Sequence, residues 1–336
     1  MIGPEQLAAG ERAEAAGDYV GAVAAYRAVA DLTDEAIVSQ AQFCLGRVNW
    51  RQGRFDAALD AFENARVLAL RLGDVELHAR VENGIGAVHY ARGDYHAARL
   101  AYGAALARSS DRSMHGRIIL NLGVIENIEG NLSDARSNYQ RAIDLFVETK
   151  DRPNEMLAVH NLGMLEADLE RWSDANDAFS RALLLASDEG NREMIAKTLV
   201  NRSEVLVEQD ALAEAVEHCD RALAIYADVG DEVGRGEALR WRAHALGRIG
   251  DLPEAERNAN EALHIAVRSG ARLLEAESAR DLGVIRSLLG DRTGGVKQLR
   301  RALALFTDLG ARRDAAEVAD LIQRPTPTRT LRRIDE

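Results

Sequence analysis

Apolar residues return along this chain at three-to-five-residue steps, in paired runs separated by short polar turns. Between residues 155 and 191, Leu157, Leu162, Leu165 and Leu169 form one stripe, and Ala175, Phe179, Ala182 and Leu183 form a second. That spacing predicts two amphipathic helices packed on one face. The pairing occurs eight times. A small residue marks each first helix (Gly10, Gly46, Gly86, Gly123, Gly163, Ser203, Ala243 and Gly283), and the copies follow at 36, 40, 37, 40, 40, 40 and 40 residues. A period of this length predicts stacked helical hairpins, each covering the apolar face its neighbour leaves open.

Within a copy, the turn reads Gly-Asp-Tyr at 17–19 and 93–95, whereas Glu170-Arg171-Trp172 replaces it in the fifth. Glycine after a helix adopts the left-handed conformation at little cost, and a neighbouring Asp or Asn caps the next helix. Tyr26, Phe62, Tyr102, Tyr139 and Phe179 recur at one position of the second helix, as the small residues do in the first. The alternation predicts a knob meeting a socket in each hairpin.

The Asn-Leu-Gly triplets at 121–123 and 161–163, the Gly-Asp-Tyr turns and the spaced alanines (Ala135 with Ala142, Ala175 with Ala182) together resemble the tetratricopeptide repeat. The resemblance runs from residue 4 to about 311. Copies near 40 residues exceed the family's usual length of about 34, and resemble the longer-helix subclass of kinesin light chains and bacterial peptide-sensing regulators. The resemblance implies an all-α fold, a right-handed solenoid superhelix of eight hairpins. They would span 4–36, 38–74, 78–111, 115–151, 155–191, 195–231, 235–271 and 275–311, with a capping helix at 312–323. The segment 324–336, with two prolines and four arginines, reads as a disordered tail.

Composition narrows the partners. The net charge is −12, which argues against binding a phosphate backbone, because that affinity rests on clustered cations. Only three of the 42 basic side chains are lysines, a bias that fits a GC-rich bacterial genome. No apolar run is long enough for a membrane span, and no secretory signal is visible at the start. Cys44 and Cys219 occupy unrelated repeat positions, which reads as two reduced thiols in a cytoplasmic protein.

In the tetratricopeptide family the first helix of each repeat lines the concave groove, and the resemblance implies which side chains face a ligand. Repeats two to four would present Gln40, Phe43, Arg47, Trp50 and Arg51, then Arg80, Asn83 and Tyr90, then Arg117, Asn121 and Asn127. No acid occupies those positions in these copies. Arginine forks suit carboxylates, and Trp50 and Tyr90 offer flat apolar contact. Repeats five to eight mix signs: Asp168, Lys197, Glu204, Glu208, Glu237, Arg240, Arg248, Arg280 and Asp281, with Trp241 as an aromatic anchor. Asn121, Asn161 and Asn201 hold one position in three successive copies, an asparagine ladder able to grip a peptide backbone through both amide groups.

Catalytic chemistry finds little support. His160 and His244 fall on the groove positions but two repeats apart. No His-Glu-x-x-His, Cys-x-x-Cys or phosphate-binding loop occurs, and no nucleophile, base and orienting group converge. The expectation is a non-catalytic, cofactor-free and metal-free scaffold or adaptor for a protein or peptide segment, acidic or ending in a free carboxylate. A ligand-responsive regulatory subunit is the alternative, and a small-molecule biosynthetic helper a third reading.

Overall fold

Five of the first helices begin where an Asp or Asn side chain caps them, whereas Ala271 stands at that position in another and makes no such bond. Asp74 accepts from the Leu77 amide at 2.9 Å, and Asn191 from the Met194 amide at 3.0 Å. Many second helices end on a residue in the left-handed region, such as Gly73 with φ 67°. At the equivalent place after residue 149 stands Lys150, with φ 58°, a conformation that costs a side chain with a Cβ about 1–2 kcal/mol.

The computed structural model describes residues 2–29 and 32–323, so the tail at 324–336 lies outside the described residues. Those residues form an all-α solenoid of seventeen helices with no strand. Its contacts group into two compact units, up to Ala158 and from Val159 onward.

The first unit pairs α1 (Ile2–Ala15) with α2 (Tyr19–Arg27), α3 (Glu35–Arg51) with α4 (Phe55–Leu72), α5 (Val75–Ala91) with α6 (Tyr95–Leu106), and α7 (Arg112–Ile128) with α8 (Leu132–Thr149). The division falls inside α9 (Arg152–Asp168). In the second unit α10 (Trp172–Asp188) packs on α11 (Arg192–Glu208), and α11 pairs with α12 (Leu212–Val229). Then α13 (Glu232–Ile249) pairs with α14 (Leu252–Ser269), α15 (Arg272–Leu288) with α16 (Arg292–Asp308), and α17 (Arg312–Gln323) closes on α16 with Val318 buried. First helices also touch one another directly, α1 with α3, α3 with α5, α11 with α13 and α13 with α15. These first helices therefore form a continuous row within each unit.

The knobs and sockets meet as the spacing predicts. A Cβ placed on Gly86 would lie 2.6 Å from the Tyr102 ring, and one on Gly163 would lie 2.8 Å from Phe179. The sixth and seventh copies exchange the two sizes. There the knob shrinks to Cys219 and Ala259 while the socket grows to Ser203 and Ala243, all four buried. Close-packed interiors tolerate volume moved between neighbours better than volume added.

Candidate functional site

In the first unit the arginines of the second repeat are already engaged. Arg47 donates to both oxygens of Glu14, at 2.8 and 2.6 Å, and Arg51 lies 3.1 Å from the same carboxylate. Tyr26 donates to it as well, at 3.1 Å. Burial alone would raise the Glu14 carboxyl, but Arg47, Tyr26 and Arg51 together hold it below its ordinary value. Repeats two to four contain no groove acid, but repeat one supplies it. An open anion clamp at Arg47 and Arg51, as read from sequence, is therefore corrected: the two arginines already share one internal carboxylate, which offsets one of their two charges.

Arg80 differs. Its guanidinium lies 4.3 Å over the Phe43 ring, and it has no carboxylate partner among the described residues. Trp50 on α3 is 37% exposed. Asn83 and Tyr90 are half-buried, Tyr90 against Tyr95. Arg117 donates to Ser113 at 2.9 Å and lies 3.7 Å from Asp151. Asn121 donates to the Tyr102 hydroxyl at 3.2 Å.

In the second unit Asn161 is half-buried, and the Asn201 amide nitrogen lies 3.2 Å from His160 Nε2. His160 Nδ1 lies 3.0 Å from the Thr198 hydroxyl, and the ring packs on Phe179. His160 is 1% exposed, so its assignment to the open groove is corrected: the neighbouring hairpins enclose it. Burial, with the charge of Lys197, pushes its pKa down to about 4. The ring is neutral at pH 7 with both nitrogens occupied. With Asn201 donating to Nε2, the proton sits on Nδ1, facing Thr198.

Arg240 is buried on α13, 3.5 Å from Glu277 and 3.5 Å from Asp281, with its guanidinium 4.4 Å over Trp241. Trp241 is half-buried and stacks on His244. Arg280 donates to Asp281 at 3.2 Å and reaches Asp314 at 3.8 Å. Arg248 bonds Asp210 and the Val207 carbonyl. Arg240 and Arg280 thus form ion pairs with acids of the next first helix, Glu277 and Asp281 on α15 and Asp314 on α17. Among the described residues no group of His, Cys, Asp or Glu side chains is arranged to hold a metal. No described helix is long and apolar enough to cross a membrane.

The tetratricopeptide repeat family pattern matches residues 37–111, 116–188 and 194–266, more than half of the chain, which therefore belongs to that family. Solved structures share the fold. RapI in its apo form aligns with a TM-score of 0.74 at 14% identity, over 96% of each chain. A Rap protein complexed with competence and sporulation factor aligns with a TM-score of 0.60 at 13% identity, over 95% of this chain and 96% of that one. A signal-transduction ATPase with numerous domains and a tetratricopeptide repeat sensor, from Pyrococcus horikoshii, gives 0.71 at 14% identity over 90% of this chain. This chain spans 47% of that protein's length. No curated protein matches the sequence.

Proposed function

We propose that the chain is a non-catalytic scaffold that holds an extended peptide or protein segment against its first helices. Arg80 carries the reading: a guanidinium braced on Phe43, half-buried and without a carboxylate partner among the described residues. A ligand carboxylate there would gain a charge-assisted bond of about 1.5–3 kcal/mol. In the second unit Asn201 spends its amide nitrogen on His160, which leaves its carbonyl oxygen and the Asn161 amide for a peptide backbone.

The test is affinity selection from a pool of capped random hexapeptides, read by mass spectrometry. Arg80→Gln should lower retention of acidic peptides about tenfold, the value of one such bond. Leu184→Gln, on an outward face that is 63% exposed, should leave retention unchanged. Failure to retain any peptide would overturn the reading.

The Rap protein solved with competence and sporulation factor supports a second reading, a regulatory subunit whose shape responds to its ligand. Scattering with and without a selected peptide separates the two, since unchanged dimensions would remove the regulatory reading.

A further inference from the structure

One edge of the second unit carries the ends of α12, α14 and α16 and the starts of α13 and α15. Large apolar side chains stand open along it: Val229, Val233, Val267, Leu273 and Leu309 are between 37% and 55% exposed. Ion pairs place them together. Val233 and Val267 adjoin Glu232 and Arg268, which lie 3.3 Å apart, and Leu273 and Leu309 adjoin Arg272 and Asp308, at 3.0 Å. One repeat earlier, the positions of Val229 and Val233 hold Glu189 and Glu193, both exposed. Scattered exposed apolar residues are ordinary, whereas a row of them rimmed by charge marks a surface that another molecule covers.

The charged rim specifies the kind of molecule. Three ion pairs border the row, Arg192 with Asp228, Glu232 with Arg268, and Arg272 with Asp308, each joining the start of a first helix to the end of its second helix. All of these side chains are more than half exposed, so their remaining donors and acceptors face solvent. A half-turn about an axis along the edge lays a second copy on the first, with each hairpin over its own counterpart. First-helix starts then meet second-helix ends, so every acid of one copy faces an arginine of the other. The polarity of the pairs alternates from hairpin to hairpin, although an internal pair works with either polarity. Between copies the alternation sets the register: a slip of one hairpin puts Glu232 against the partner's Asp308 and Arg268 against the partner's Arg272. Like charges brought together in this way reject the wrong alignment.

We propose that this edge is the interface of a symmetric dimer, with a second copy of the chain as its occupant. A two-fold contact uses the same patch on both copies and therefore needs a self-complementary surface, which the apolar row and its paired charges provide. Val233, Val267, Leu273 and Leu309 supply the attraction by leaving water, and the ion pairs fix alignment and partner choice. The assignment is independent of what the first helices bind.

Sedimentation equilibrium on the full chain should return the mass of a dimer at micromolar concentrations. Val233→Asp combined with Leu273→Asp should weaken the dimer about thirtyfold or more, the loss that accompanies a central interface contact. Leu184→Asp, on the outward face of α10, should leave it unchanged. These positions are exposed, so circular dichroism should be the same for parent and variants. Charge reversal supplies the stricter test. Glu232→Arg gives one hairpin two cations and Arg268→Glu gives it two acids, so each variant alone should dimerise several-fold more weakly than the parent. An equimolar mixture of the two should recover the parental affinity as a heterodimer. A monomer at every concentration, a dimer indifferent to Val233 and Leu273, or a mixture that associates no better than its components would each overturn the interface.

Discussion

Glu232 and Arg268 face each other at 3.3 Å between the start of α13 and the end of α14, and the next hairpin reverses the signs, with Arg272 3.0 Å from Asp308. The same closing pair joins Arg112 to Glu148 and Arg192 to Asp228, both at 2.6 Å, and also Glu35 to Arg71. In every case 36 residues separate the partners. Preservation of the pairing when the signs exchange identifies a clasp at one end of these five hairpins.

The clasp predicts a compensating double substitution. Glu232→Arg alone places two arginines together and should lower stability slightly, while Glu232→Arg with Arg268→Glu should recover it. Exposed pairs are worth no more than about 1 kcal/mol, so urea unfolding must resolve tenths. A double variant no better than the sum of its singles would refute the clasp.

The sockets predict unequal responses to one methyl group. Gly163→Ala drives a Cβ into Phe179 and should cost about 1–3 kcal/mol, the usual cost of overpacking. Ala243→Gly, opposite the small Ala259, should cost about 1 kcal/mol through helix propensity alone. Equal losses in calorimetry would show that the two hairpins do not trade volume.

Lys150 predicts a stabilising change. Lys150→Gly relieves the left-handed strain but loosens the unfolded chain. The balance should be a gain of up to about 1 kcal/mol, seen as a melting temperature higher by a few degrees. An unchanged or lower value would mean that the Lys150 conformation carries no strain.

Acid should weaken the fold in a defined window. His160 and His218 are both held down to about 4, first by burial and then by nearby cations: Lys197 for His160, and Arg202 and Arg221 for His218. A histidine whose folded value is depressed binds fewer protons folded than unfolded. Its contribution is complete above the unfolded value near 6.5 and is lost as pH falls toward 4. Each site accounts for up to about 3 kcal/mol. Urea unfolding between pH 7 and pH 4.5 should show the decline, and His160→Gln should flatten it. A slope indifferent to both histidines would refute the assignment.

The hairpins, turns and sockets were legible in the sequence because each depends on residues within one repeat. Trp241 reads from the sequence as an aromatic anchor, and its stacking on His244 and Arg240 depends on neighbours within its own helix. Glu14 was not, because its meaning depends on side chains two helices away. It stands in the first repeat where Trp50 stands in the second, so attention to register in the first copy was the signal available. His160 misled because its position matches the groove, while Phe179 and Thr198 close over it from neighbouring helices.

The carboxylate of Glu14 also governs how fragments of this protein will behave. A piece beginning at α3 would release Arg47 and Arg51 from their shared counter-ion and set both beside Arg80, on a face the intact chain keeps partly neutral. Such a fragment would collect acidic ligands avidly, and the avidity would be a property of the cut. The first hairpin thus supplies, from within the chain, the carboxylate that Arg47 and Arg51 would otherwise take from solution, and binding measurements on the intact chain and on such a fragment would not be comparable.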